Sequence, residues 1–201
     1  LYPSELLSLP WALQSANFAI ALARAYNDWL NDYCSTNPHR LRGAAIIPQQ
    51  DLVLALEEIK RVRRIGLKTI MLRPNLIGGI TFQHPNYEPI WAAAQEMDMG
   101  IAVHEGFGVE MPTLGWDRTQ NWMQAHALQH PAEHMAACMV LITGGVFQRY
   151  PKLRMAFLEN GAGWAPFWLD HMDEHYEKWH RFYPGLDEKP SLFFKRQCYL
   201  G

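Results

Sequence analysis

The sequence has no excess of charge of one sign, no long apolar run and little cysteine, and each lack removes a class of protein. Eighteen Lys and Arg stand against 20 Asp and Glu, a formal net charge of −2. No basic face is therefore available to follow a phosphate backbone, and nucleic acid is not an expected partner. The longest near-apolar stretch, Met135 to Phe147, is broken by Thr143 and Gly144-Gly145. It falls short of the roughly 20 apolar residues that a bilayer core requires, so no membrane partner is expected either. The amino end lacks the basic and then apolar segments of a secretory signal. Cys34, Cys138 and Cys198 lie far apart with no CxxC pair. Such a set builds no disulfide framework and fits a reducing, cytoplasmic setting. No GxGxxG or GxxxxGK[ST] motif opens a helix, which argues against a nucleotide-binding fold.

What is present is a core and a repeated local design. The 201 residues are 49% hydrophobic, enough to bury one domain or most of one. Helical spacing runs from Pro10 to Tyr33 through Trp11, Ala12, Phe18, Ala19, Leu22, Ala23, Tyr26 and Leu30. A strand is expected over Leu41–Ile47. Asp51 then caps a helix over Leu52–Arg64 whose face is Val53, Leu56, Ile59 and Val62, stopped by Gly66. Lys68–Leu72 reads as a strand, Asn86–Met97 as a helix and Ile101–Val103 as a strand. A loop with Pro112, Gly115 and Trp116 follows, then helix through most of Asn121–Gln148. Leu153–Leu158 is the next strand, Trp164–Phe182 a helix and Phe194–Leu200 the last strand. Five strands alternating with helices imply parallel pairing with crossovers. A complete (β/α)8 barrel takes about 250 residues, so the expectation is an α/β fold, an incomplete TIM-type barrel. A doubly wound open sheet is the alternative. The chain opens on Leu1 and stops at Gly201 directly after an apolar run, so both ends are expected to be cut from a longer protein. Unpaired sheet edges would then offer a route to a homo-oligomer.

Chemistry is concentrated where strands end. Ile101-Ala102-Val103 runs straight into His104-Glu105-Gly106, and Arg154–Leu158 into Glu159-Asn160-Gly161. In α/β proteins the carboxyl ends of strands gather ligands and catalytic groups. His104 there can hold a metal or move a proton; the alternative is an imidazole satisfied by backbone. Glu159 can act as a general base, bind a metal or accept from the amides of its glycine-rich turn. Arg73 ends its strand before Pro74 and can clamp a substrate carboxylate, or make a surface salt bridge. Glu105 should point away from His104 and orient neighbouring groups. Trp116, Trp122 and Trp164 can line an aromatic pocket or fill core. His84 before Pro85 reads as a turn residue at the rim. His126, His130 and His134 are spaced i, i+4, i+8, and Pro131 marks the expected helix start, which leaves the first two in a loop. His171 and His175 repeat the spacing. Adjacent pairs could share an ion as H-x-x-x-H, which makes these rows the rival metal site, but without an H-E-x-x-H order both read first as solvated or helix-packing histidines. Asp170, Asp173, Glu174 and Glu177, interleaved with Lys178 and Arg181, read as a solvated face.

Four segments carry a resemblance: RLRGAAIIPQQDLVLALEEIKRV, IGLKTIMLRPN, HPNYEPIWAAAQEMDMGIAVHEG and GGVFQRYPKLRMAFLENGAGWAPFWLDHMDE. Together they resemble the amidohydrolase-related family of metal-dependent hydrolases and decarboxylases, the group that includes aminocarboxymuconate-semialdehyde decarboxylase. The resemblance implies the central part of one barrel domain over residues 1–201, with the first and last strands missing. It implies a divalent metal, zinc first among the candidates, with His104 as the middle-strand ligand. The remaining ligands, an H-x-H or E-x-H pair and an aspartate, would lie outside this chain. Glu159 stands where many members carry a catalytic histidine. That departure weakens decarboxylation by the family's usual route and tilts the expectation to a hydrolase acting on a small carboxylated or carbonyl substrate. A decarboxylase and a non-catalytic relative serving as a binding subunit are the alternatives. Glu159 is the expected catalytic residue, Arg73 and Trp164 the substrate contacts and His104 the metal ligand.

Overall fold

The computed structural model describes residues 1–3, 6, 11, 15–106, 113–182 and 185–201. The expectations at Pro10, Ala12 and Pro112 lie outside them. Five strands form one sheet in chain order, and every neighbouring pair is parallel. They are β1 (Ala44–Ile46), β2 (Thr69–Leu72), β3 (Gly100–Val103), β4 (Arg154–Phe157) and β5 (Cys198–Leu200). Helices connect them: α1 (Ala16–Ser35) enters β1, α2 (Leu52–Ile65) leads to β2, and α3 (Glu88–Glu96) leads to β3. The long α4 (Trp122–Thr143) and short α5 (Val146–Arg149) precede β4, while α6 (Trp164–Trp179) and α7 (Pro190–Gln197) precede β5. Consecutive parallel strands joined by helices are successive staves of a (β/α)8 barrel, here an incomplete one. No helix among the described residues is long and apolar enough to cross a membrane.

The two sheet faces separate by residue parity. Ala45, Ile47, Ile70, Leu72, Ile101, Val103, Met155 and Phe157 face the helices and join the main core with Leu30, Ile59, Val62, Trp91, Leu141 and Phe147. Ala44, Ile46, Met71 and Ala102 face the other way, into a smaller cluster with Trp11, Ala23 and Ile77. This is the period-2 alternation of a strand buried on both faces. The outer edge of β1 is occupied: Asn27 donates to the Ile46 carbonyl at 3.1 Å and accepts from the Ile46 amide at 2.9 Å.

Local chemistry sets most boundaries. Asp51 accepts from the amides of Val53 and Leu54 at 2.9 and 3.1 Å and starts α2 as expected. Gly66, at φ 121°, ends it in a conformation that disfavours a side chain. His84 accepts from the Asn86 amide at 3.2 Å and opens the turn into α3. Three expectations are corrected. Val53 does not belong to the buried face of α2, being 69% exposed; Ala55, Glu58, Ile59 and Val62 form that face. Pro131 does not start a helix but lies inside α4, which begins after the Asn121 cap. The last strand is only Cys198–Leu200, because Pro190 at the first turn opens a helix and Phe193 and Phe194 bury one side of it.

Candidate active site

Strand parity sends His104 inward. It follows Val103 and shares the parity of Ala102, so its ring enters the inner face at the carboxyl end of β3. Continued alternation would turn Glu159 the other way, with Phe157. The backbone at Glu159 breaks the pattern: its φ is 60°. That left-handed step brings Oε2 to 2.9 Å from His104 Nε2, and the two expected site residues share one face. His104 is buried, whereas the Glu159 side chain is 59% exposed and forms the open rim.

Hydrogen-bond chemistry fixes the state of this pair. A carbonyl oxygen only accepts, so the 2.6 Å contact from His104 Nδ1 to the Glu105 carbonyl places the ring hydrogen on Nδ1. Nε2 then presents its lone pair to a carboxylate, and two acceptors 2.9 Å apart need a cation between them. A proton shared by the two groups or a divalent metal meets that need. An imidazole oriented by a backbone carbonyl is a usual metal donor, and a carboxylate is a suitable partner. The donor set fits a divalent ion, although no third His, Cys, Asp or Glu converges there among the described residues.

Behind the pair lies a buried polar cluster. Arg73 is fully buried, and its guanidinium donates to Asn75 at 2.9 Å, Glu105 at 2.9 Å and the Gly106 carbonyl at 2.7 Å. It is thus neither an open clamp nor a surface salt bridge: the structure makes it half of a buried ion pair. Gln49 ties β1 to β2 by accepting from the Arg73 amide at 2.7 Å and donating to its carbonyl at 3.1 Å. Glu105 turns to Arg73 and Asn75, away from the His104 imidazole. Burial pushes its carboxyl up to about 7 against the pull of Arg73, and it pushes the Arg73 guanidinium down to about 10. Arg73 stays cationic at neutrality. Burial also raises Glu133, whose Oε1 accepts from the Leu114 amide at 2.7 Å. Burial thus drives Glu105 and Glu133 the same way, towards the neutral acid, beside a single guanidinium.

His130 was not expected here. Extending α4 back past Pro131 carries it to the strand ends, where it lies 5.8 Å from the His104 ring, centroid to centroid. Its two nitrogens lie 3.1 Å from the carbonyls of Glu159 and Glu105. Burial, reinforced by His126, lowers its basicity; a neutral ring donates to one of the two carbonyls at a time. Reading Pro131 as a start hid it, and the i, i+4 row was the available signal. Asn75 and Tyr2, whose ring lies 6.1 Å from His104, carried no such signal. The three tryptophans do not form one pocket. Trp116 and Trp122 are 60% and 67% exposed, while Trp164 stands edge-on to Phe157 and Phe194 at 6.1 Å each. The Trp164 indole N–H is buried without a partner, as are both amide atoms of Asn160.

The family model for amidohydrolases matches residues 3–200, all but three residues of the chain. The chain belongs to the amidohydrolase family. Among curated members it is 29% identical to the 2-amino-3-carboxymuconate-6-semialdehyde decarboxylase of Dictyostelium discoideum over 175 residues, which are 87% of this chain and 44% of that protein. It is 28% identical to the gamma-resorcylate decarboxylase of Rhodococcus jostii, covering 92% of this chain and 56% of that one. The amidohydrolase chain thus spans about half the length of the curated relatives it matches. Among solved structures it resembles a dihydroxybenzoic acid decarboxylase from Polaromonas, crystallised with manganese and the inhibitor 2-nitroresorcinol. The TM-score is 0.74 at 24% identity, over 95% of this chain and 60% of that one.

Proposed function

We propose that the complete protein is a metal-dependent decarboxylase acting on a small carboxylated substrate, and that residues 1–201 are the central part of its single barrel domain. The observation that carries this reading is the His104–Glu159 pair, a buried imidazole facing a rim carboxylate across 2.9 Å. The decarboxylase activities of the similar proteins support carbon–carbon cleavage over the hydrolysis first expected from Glu159. The manganese in the Polaromonas structure supports a divalent ion; whether zinc serves here is part of the test.

A divalent metal held by His104 would supply a positive centre for a substrate carboxylate or adjacent oxygen. Cleavage releases CO2 and leaves the electron pair on carbon, which then takes a proton. Glu159, open to solvent and next to His104, is placed to take a proton from solvent or a substrate hydroxyl and pass it to that carbon. Arg73, whose guanidinium is held by Asn75, Glu105 and the Gly106 carbonyl, is proposed to act on a substrate anion through its charge and not by direct contact. With Glu105 drawn towards its protonated form by burial, the guanidinium charge is only partly cancelled and favours an anion at the strand ends. Trp164, the first residue of α6, packs on Phe157 and Phe194 at the helix side of the sheet, away from the face that His104 enters, and is not proposed as a substrate contact.

The test is CO2 release by the complete protein from a series of small hydroxyarene and enol carboxylates, with manganese or zinc added. Release should require the metal and fall about 100-fold or more in Glu159→Gln, the size of a general acid's contribution. Ester or amide cleavage without CO2, or an unchanged kcat in the variant, overturns the reading.

A further inference from the structure

A second group of metal-ligating side chains stands on α6, sharing no residue with the His104–Glu159 pair. His171, Glu174 and His175 occupy i, i+3 and i+4, which places them on one helix face. One donor atom from each lies within 4.8 Å of the others. The rings are oriented before any ion arrives. His175 Nδ1 meets the His171 carbonyl at 2.8 Å, which puts the hydrogen on Nδ1 and the lone pair on Nε2. His171 stacks on Phe167 at 5.7 Å and 11°, and His175 rests against Trp179 at 4.7 Å. The two imidazoles are 4.2 Å apart, centroid to centroid. Beside them is a cavity of about 480 Å³ lined by both histidines, Trp168, Met172, Tyr176 and Trp179. His134 and His180 make the same contact to their own i−4 carbonyls; what sets this pair apart is the Glu174 carboxylate, with one donor atom of each of the three residues inside 4.8 Å.

We infer that this face of α6 is a zinc site held by His171, Glu174 and His175. Two imidazoles and a carboxylate are borderline donors matched to a borderline ion, and three protein donors leave a coordination position open. One feature of the surface opposes binding: the Lys178 ammonium holds Glu174 at 2.6 Å. Zinc must take the carboxylate from that ion pair, so Lys178 sets the affinity without touching the ion.

The test is calorimetric zinc titration of the complete protein and its variants at neutral pH. The double variant His171→Gln/His175→Gln should lose one zinc equivalent relative to the parent. Either single variant should weaken that equivalent by more than the roughly 10- to 100-fold that loss of an outer-shell partner costs. Lys178→Ala should tighten it by up to about fivefold, the value of an exposed ion pair. Equal zinc number and affinity in parent and double variant overturn the assignment. Should the double variant fail to fold, Lys178→Ala decides alone: an affinity that stays constant or weakens overturns it equally. Loss of the site at His104 would leave all these differences in place.

Discussion

Glu159 holds a backbone conformation that side chains avoid, with φ at 60°. The left-handed region costs a residue with a Cβ about 1–2 kcal/mol, and such strain collects where geometry serves function. The His130 contact to the Glu159 carbonyl helps hold it there. Glu159→Gly removes the strain but adds roughly 0.5–1 kcal/mol of chain entropy to be lost on folding. The net expectation is a gain of up to about 1.5 kcal/mol, read as a higher urea midpoint at unchanged slope, together with loss of CO2 release. A lower midpoint would mean that the contact with His104 outweighs the strain. At this scale the sequence was half legible. An apolar run ending in His104, and another ending in Glu159, announced polar strand ends. The turn signal of Asn160-Gly161 did not say which residue would go left-handed, and strand parity alone would have sent Glu159 away from His104.

Helix α4 shows what an element adds to its residues. His134 is fully buried, with one nitrogen 2.7 Å from the His130 carbonyl and the other 3.1 Å from the Val103 carbonyl. Burial holds it down to about 4, from an ordinary value of 6.5. The unfolded chain therefore takes up the proton first as the pH falls. Stability is complete above about 6.5, declines through that window and levels off below about 4, at a total of about 3 kcal/mol. Urea unfolding across this range should show the decline, and His134→Gln, which can still donate to Val103, should flatten it. A parallel decline in the variant would place the acid sensitivity elsewhere. A second element-level test lies where α1 meets β1. A Cβ at Gly43 would stand 2.6 Å from Leu30 Cγ, a fully buried side chain. Gly43→Ala should cost about 1–3 kcal/mol through overpacking, and an unchanged midpoint would mean that α1 shifts freely on the sheet. The apolar spacing of α4 was legible; its start was not, because a proline that usually opens helices sits here in mid-helix. The last strand was misjudged for a related reason: a short apolar run such as Phe193-Phe194 has no period of its own.

At the scale of the whole molecule, alternation of strands and helices was enough to anticipate the parallel sheet, but strand order was not readable from it. The order β1 to β5 follows the chain without reversal, and that rules out the doubly wound alternative, which needs a switch point. A barrel is a sheet without edges, and the five strands test how that requirement is met. β1 has Asn27 on its outer edge. β5 carries Tyr199, 57% exposed, and pairs only with β4 among the described strands. Amide exchange in the isolated 201-residue chain should therefore be slowest in β2 and β3, flanked on both sides, and fastest in β5, where local opening breaks one ladder instead of two. The same measurement on the complete protein should slow β5 to the level of β3 if a further stave covers it. Equal protection of β5 and β3 in the 201-residue chain would mean that its outer edge is already paired, by a second copy or by the sheet closing on itself. In that case five strands would form a closed unit, and the active-site ligands expected from neighbouring staves would have to come from elsewhere.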